Sequence, residues 1–75
     1  MVKVLYFGIA REITGKAEEE LEAHDTAGLR HLINVSYPEL RTVPFRLALN
    51  GSLLKEETML ETGDKIAVLP PFAGG

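Results

Sequence analysis

One stretch of helical period stands alone in the middle of this chain, and Pro38 closes it. Leu29, Leu32 and Ile33 recur at helical spacing, with Tyr37 one turn further on. Arg30, His31 and Asn34 fall largely on the opposite, wet side. Asp25 or Thr26 offers the side-chain oxygen that caps the first turn. Gly28 weakens that turn by about 1 kcal/mol relative to Ala. The residue before a proline is disfavoured in helical geometry, so the helix stops near Tyr37. A lone amphipathic helix cannot bury its own stripe. In a chain of 75 residues with neither Cys nor Trp, no disulfide or thiolate metal site can take over that task. The stripe therefore needs a sheet, and the flanking segments must supply it.

They do. Val2 to Phe7 reads as a strand, with Val2, Val4 and Tyr6 on one face and Lys3, Leu5 and Phe7 on the other. Lys3 marks the face turned to water, which leaves Leu5 and Phe7 partly exposed. A short helical turn covers Ile9 to Thr14, and Gly15 ends it. Lys16 to Glu22 suits a charged edge strand that resists stray pairing; on propensity alone, a helix over Ala17 to Ala23 is the rival. Glu39 to Pro44 reads as a connection. Phe45, Leu47 and Leu49 then alternate with Arg46 and Ala48 as a strand, Asn50-Gly51 turns the chain, and Ser52 to Lys55 returns. Glu61-Thr-Gly-Asp64 is a further turn. Lys65 to Leu69 is the last strand, with Ile66 and Val68 facing one way and Ala67 and Leu69 the other. Pro70 and Pro71 forbid a ladder beyond it. Hairpin, helix, then further strands is the outline of an α+β fold of β-grasp (ubiquitin-like) type, a mixed sheet packed against one main helix. Residues 1–69 form the domain and residues 70–75 a flexible tail.

Charge narrows the function. Lys plus Arg is 8 and Asp plus Glu is 11, a net charge of −3, which does not suit nucleic-acid binding. No apolar run approaches the roughly 20 residues that span a bilayer, and the absence of Cys points to the cytoplasm. Conventional catalytic groups are missing. There is no Cys nucleophile, and Ser36 and Ser52 lack partners. His24 and His31 do not make a metal site, so none is expected. Glu18, Glu19, Glu20 and Glu22 read as a solvated run, as do Glu56 and Glu57. Gly8, Gly15 and Gly28 lack phosphate-loop spacing.

The end of the chain is different. Pro70 and Pro71 stiffen the exit from the last strand. Phe72 and Ala73 have nothing after them to pack beneath, and Gly74 and Gly75 follow. From Pro70 onward the segment reaches at most about 20 Å. A glycine end threads a channel that any Cβ would block. The reactive group it delivers is the Gly75 carboxylate, a poor acyl donor until activated. Transfer of AMP gives an acyl adenylate; sulfur attack then gives a thiocarboxylate, and amine attack an isopeptide. Phe7 and Leu69 form an apolar patch around the tail exit, Leu53 extends it, and Phe72 has little but a partner to bury against.

Val2-Lys-Val-Leu-Tyr-Phe7, Ala10-Arg-Glu-Ile-Thr-Gly15, Tyr37-Pro-Glu-Leu40, Ala48-Leu-Asn50, Gly63-Asp64 and Pro70-Pro-Phe-Ala-Gly-Gly75 together resemble the small subunits of molybdopterin synthase, a family of sulfur carriers in molybdenum-cofactor biosynthesis. The likeness runs through essentially the whole chain. Phe72 stands where that family more often has a small β-branched residue, and the chain is short between Tyr37 and Phe45. The thiamine-pathway sulfur carrier shares the fold and the Gly-Gly end but usually lacks the Pro-Pro element. The resemblance implies that a ubiquitin-activating-type adenylyltransferase, using ATP and Mg²⁺, converts Gly75 to a glycyl adenylate. A sulfurtransferase or cysteine desulfurase then supplies sulfur, leaving 1-thioglycine, and no cofactor is held by the chain itself. The tail, Pro70, Pro71, Phe72, Ala73 and Gly74 with Gly75, inserts into the large synthase subunit in a heterotetramer of two small and two large chains. There it donates sulfur to cyclic pyranopterin monophosphate to build the dithiolene. Catalytic groups belong mainly to the large subunit. A protein modifier or a thiamine-pathway sulfur carrier using the same glycine, and a non-catalytic β-grasp binding module, are the competing readings.

Overall fold

The computed structural model describes residues 1–71. Its elements are β1 (Val2–Tyr6), α1 (Gly8–Thr14), β2 (Glu18–Leu21), α2 (Thr26–Ser36), a 3₁₀ helix (Pro38–Arg41), β3 (Arg46–Leu49), β4 (Ser52–Leu53) and β5 (Lys65–Leu69). The sheet order is β2-β1-β5-β3-β4. β1 and β5 run parallel at its centre, and the other neighbours are antiparallel. This is the expected β-grasp. The central parallel pair brings the first and last strands side by side, so the chain leaves β5 next to the point where β1 enters α1.

Alternation decides which face is dry. Val2, Val4 and Tyr6 of β1, Leu47 of β3, and Ile66 and Val68 of β5 are all at most 1% exposed. They pack with Leu29 and Ile33 of α2 in one cluster. Complete burial of such side chains contributes about 1.5–3 kcal/mol each. The Asp25 carboxylate caps α2 by accepting from Gly28 N–H at 2.7 Å. Thr26, fully buried, accepts from Thr58 N–H at 2.9 Å and donates its own N–H to Thr58 O, so the 54–60 loop is fastened to the start of α2. Asn50 and Gly51 both have positive φ, 48° and 92°, as the β3–β4 hairpin demands.

Several expectations need correction. The 39–44 connection holds a 3₁₀ helix that Pro38 opens, and Leu40 within it is 1% exposed. A single apolar residue has no period to reveal it. β1 ends at Tyr6, and Phe7 instead precedes α1 in an extended conformation, so α1 opens at Gly8. The return strand stops at Leu53. Asn34 and Arg30 are only half exposed. Arg30 lies 5.8 Å from the Phe45 ring centroid and 3.1 Å from Glu57.

Glu19 does not belong to a solvated run. Its Oε2 accepts from Tyr6 OH at 2.5 Å and Tyr37 OH at 2.7 Å, and its Oε1 from Lys16 Nζ at 3.1 Å. The two tyrosine rings meet edge to face at 6.0 Å. Burial acts to raise the Glu19 pKa, but the hydrogen bonds from Tyr6, Tyr37 and Lys16 outweigh it and hold the carboxyl below its ordinary value. Burial, then the bond to Glu19, pushes the Tyr6 hydroxyl far above the usual phenol range. The carboxylate thus joins β1, the edge strand β2 and the end of α2.

Candidate functional site: the outer sheet face and the tail exit

The registers assemble the second face. Leu5 pairs with Ala67, Ala67 with Ala48, and Ala48 with Leu53, giving an apolar row across four strands. Glu18 of β2 continues the row beyond Leu5. Small side chains at its centre make it shallow. Leu5, Phe7, Ala48 and Ala67 line an open groove, with Lys65 and Asn50 at one end. That end is rigid. Asn50 donates its side-chain N–H to Asp64 at 3.1 Å and accepts from Lys65 N–H at 2.9 Å, while Asp64 also accepts from Glu61 N–H at 2.8 Å.

The other end is where the chain leaves the sheet. Leu69 pairs with Arg46, and Phe7 N–H donates to Val68 O at 3.2 Å. Phe7 is 45% exposed, Leu69, Leu53 and Pro70 are half-buried, and Pro71 is exposed. The structure thus brings Phe7, Leu69, Pro70 and Pro71 to the exit end. Leu53 sits on the same face but at the far strand of the sheet. Phe72, Ala73, Gly74 and Gly75 lie outside the described residues.

Both signs of charge stand on this face, with Glu18 and Glu20 of β2 opposite Leu5 and Lys3. Lys3 and Lys65 are paired in register on the outer side, and Arg46 flanks Leu69. Lys3 meets Glu18 at 3.2 Å, a surface pair of about 0–1 kcal/mol. The ion pairs among the described residues include neither Lys65 nor Arg46. The apolar row thus has Lys65 and Arg46 near its ends and Glu18 beyond Leu5.

Leu5, Ala48 and Ala67 share this face with Phe7 and Leu69, although none of the three stands out as a candidate in the sequence. The signal was present in the alternation that put Leu5 beside Phe7 and Ala67 beside Leu69. Ile9, 42% exposed directly after Gly8, was also passed over. Its place in a short helical turn carried no functional signal. His24 and His31 are exposed, and no group of three or more His, Cys, Asp or Glu gathers among the described residues. No helix among them is long and apolar enough to cross a membrane.

Comparison with known proteins fits this geometry. The sequence pattern of the ThiS family matches residues 4–75. The molybdopterin synthase sulfur carrier subunit of Chlamydomonas reinhardtii is 35% identical over 99% of this chain and 98% of its own. The solution structure of small archaeal modifier protein 1 from Methanosarcina acetivorans superposes with a TM-score of 0.85 at 28% identity, covering 99% of this chain and 95% of that one. A chain in the complex of subunits 1 and 2 of the molybdopterin-converting factor from Helicobacter pylori does so at 0.75 and 30% identity, covering 99% and 97%.

Proposed function

The chain belongs to the ThiS family, and from that premise we propose that it is a sulfur carrier whose reactive group is the carboxylate of Gly75. The likeness to molybdopterin synthase sulfur carrier subunits along nearly the full length of both chains carries this reading.

The chemistry begins with a group that is inert by itself. A carboxylate oxygen of Gly75 attacks the α-phosphate of ATP, with Mg²⁺ held by the activating enzyme, and pyrophosphate leaves. The resulting glycyl adenylate has AMP as its leaving group. The outer sulfur of a persulfide on a sulfurtransferase or cysteine desulfurase displaces AMP, and a second thiol cleaves the acyl disulfide, releasing 1-thioglycine and leaving a disulfide behind. The thiocarboxylate is ionised at neutral pH and is the better nucleophile. Its sulfur bonds to a side-chain carbon of cyclic pyranopterin monophosphate, which gives up an oxygen, and water then cleaves the acyl–sulfur bond, leaving sulfur on the pterin and a carboxylate on Gly75.

Each part of the domain has a role in that cycle. Gly74 and Gly75, free of side chains, enter a narrow channel. Pro70, Pro71, Phe72 and Ala73 carry them there, and residues 70–75 act as a tail on the 1–69 domain. Phe7, Leu69 and Leu53, with the row between them, dock on the large synthase subunit, in a heterotetramer of two small and two large chains. The Helicobacter pylori complex supports a partner of that kind. Lys3, Lys65 and Arg46 favour acidic groups at the rim of the partner's surface.

A second reading has its own support. The likeness to small archaeal modifier protein 1 favours isopeptide formation between Gly75 and a substrate lysine. Both begin with the adenylate, so ATP–pyrophosphate exchange by the host's adenylating enzyme tests their shared step. Exchange that depends on this chain and vanishes on deletion of Gly75 supports it; exchange that survives the deletion refutes it. Covalent high-mass products that resist boiling and thiol separate the modifier from the carrier.

A further inference from the structure

The chain passes from β5 to Pro70 beside the first turn of α1. The bond from Phe7 N–H to Val68 O, 3.2 Å, ties the entry of α1 to the end of β5. Gly8 comes next, with φ of +56°, where a Cβ is penalised. A Cβ at residue 8 would stand 2.9 Å from Cγ of Pro70 and 3.7 Å from its Cδ. The first distance lies well inside ordinary carbon contact of about 3.5–4.0 Å. The tip of a lysine would swing away from such a clash. A proline ring closes on its own backbone nitrogen and has only its pucker to yield. Any side chain at residue 8 therefore pushes on the backbone at the base of the tail. Gly15, Gly51 and Gly63 also have positive φ, but a Cβ there would meet nothing within 4 Å. Those three serve their turns; Gly8 combines an unusual backbone with a close approach.

We propose that Gly8 is a positioning residue for the tail: its bare backbone seats the Pro70 ring and so sets the direction in which the segment beyond Pro70 leaves the sheet. This rests on the reading of Gly75 as the group that is adenylated. Gly8 takes no part in the chemistry in this proposal and acts through Pro70. Aim matters because a misplacement of about 1 Å at a reacting centre can cost about 100-fold in rate.

The test measures ATP–pyrophosphate exchange by the host's adenylating enzyme over a range of carrier concentration. It uses the full chain, Gly8→Asn, Pro70→Ala and the double variant, with folding of each checked by urea unfolding. Asn tolerates positive φ, so Gly8→Asn limits the backbone strain while setting a Cβ against the Pro70 ring. The expected result is a fall in kcat of about tenfold or more for each single variant, with KM little changed. The double variant is no slower than the slower single, because both changes undo one contact. Should Gly8→Asn fail to fold, Pro70→Ala and Pro70→Gly remove the ring without touching α1, and unchanged kcat in both overturns the seat. A folded Gly8→Asn with unchanged kcat, a loss confined to KM, or losses that multiply in the double variant would each overturn it too. Absence of exchange with the unaltered chain would instead refute the Gly75 reading on which the seat depends.

Discussion

The two faces of the sheet share the same strands and obey opposite rules. Toward α2 the alternate residues are large and dry: Val4, Tyr6, Leu47, Ile66 and Val68. Away from it, Leu5, Ala67 and Ala48 form a shallow row with Lys3, Lys65 and Arg46 at its margins. One face holds the fold and the other is left with apolar surface that nothing in the described residues covers completely. That division keeps the core on the helix side and leaves the outer face partly apolar, as an interaction surface is.

Removing bulk from each face is the strongest way to break the comparison. Leu29→Ala or Ile66→Ala costs about 2–5 kcal/mol, because each opens a cavity in the dry layer. Leu5→Ala costs about 1 kcal/mol, since Leu5 is only half-buried. Urea unfolding of the three variants measures the contrast; equal losses would abolish the distinction.

Glu19→Gln comes next, at about 1–3 kcal/mol, because two phenols and an ammonium lose their charged acceptor. Its pKa is lowered in the folded state. The stability it adds is thus complete above the ordinary carboxylate range and is lost as pH falls through the lowered folded value. Stability curves of the unaltered and Gln proteins are fully separated above the ordinary carboxylate range and converge only as pH falls through the lowered folded value. Curves parallel through the acid range would contradict the role of Glu19.

A smaller effect sharpens the outer face. Gly51→Ala, at φ 92°, costs about 1–2 kcal/mol, and loosens the hairpin that carries Leu53. Amide exchange in β3 and β4 speeds more than in β1 if this is right. Phe7→Ala is the mildest for stability, within about 0.5 kcal/mol. If Phe7 docks on a large synthase subunit as proposed, the same variant weakens that binding by about tenfold or more, which calorimetry reads directly.

How much of this was legible follows from period and count. The α2 stripe, the inner face of β1 and the β5 pattern each repeat often enough to declare their structure, and Asn50-Gly51 announces its hairpin by chemistry alone. Leu40 is one apolar residue in a polar turn, and no period can show its burial. Glu19 looks like its neighbours Glu18 and Glu20. Only the pairing of β2 with β1, and the reach of Tyr37 from the end of α2, reveal why it differs. The exit patch was legible because Phe7 and Leu69 fall on the side opposite the helix stripe. Its centre was not, because alanines such as Ala48 and Ala67 become a surface only when the register aligns them. The contact of Gly8 with Pro70 joins residues far apart in the chain and has no local signal.

The most direct test of the central claim is the intact mass of the protein after incubation with ATP, Mg²⁺, the host's adenylating enzyme and its sulfur donor. A gain equal to the exchange of one oxygen for one sulfur, confined to Gly75 and absent when Gly75 is deleted, is expected. An unchanged mass, in a mixture that charges a carrier of proven activity, would contradict it.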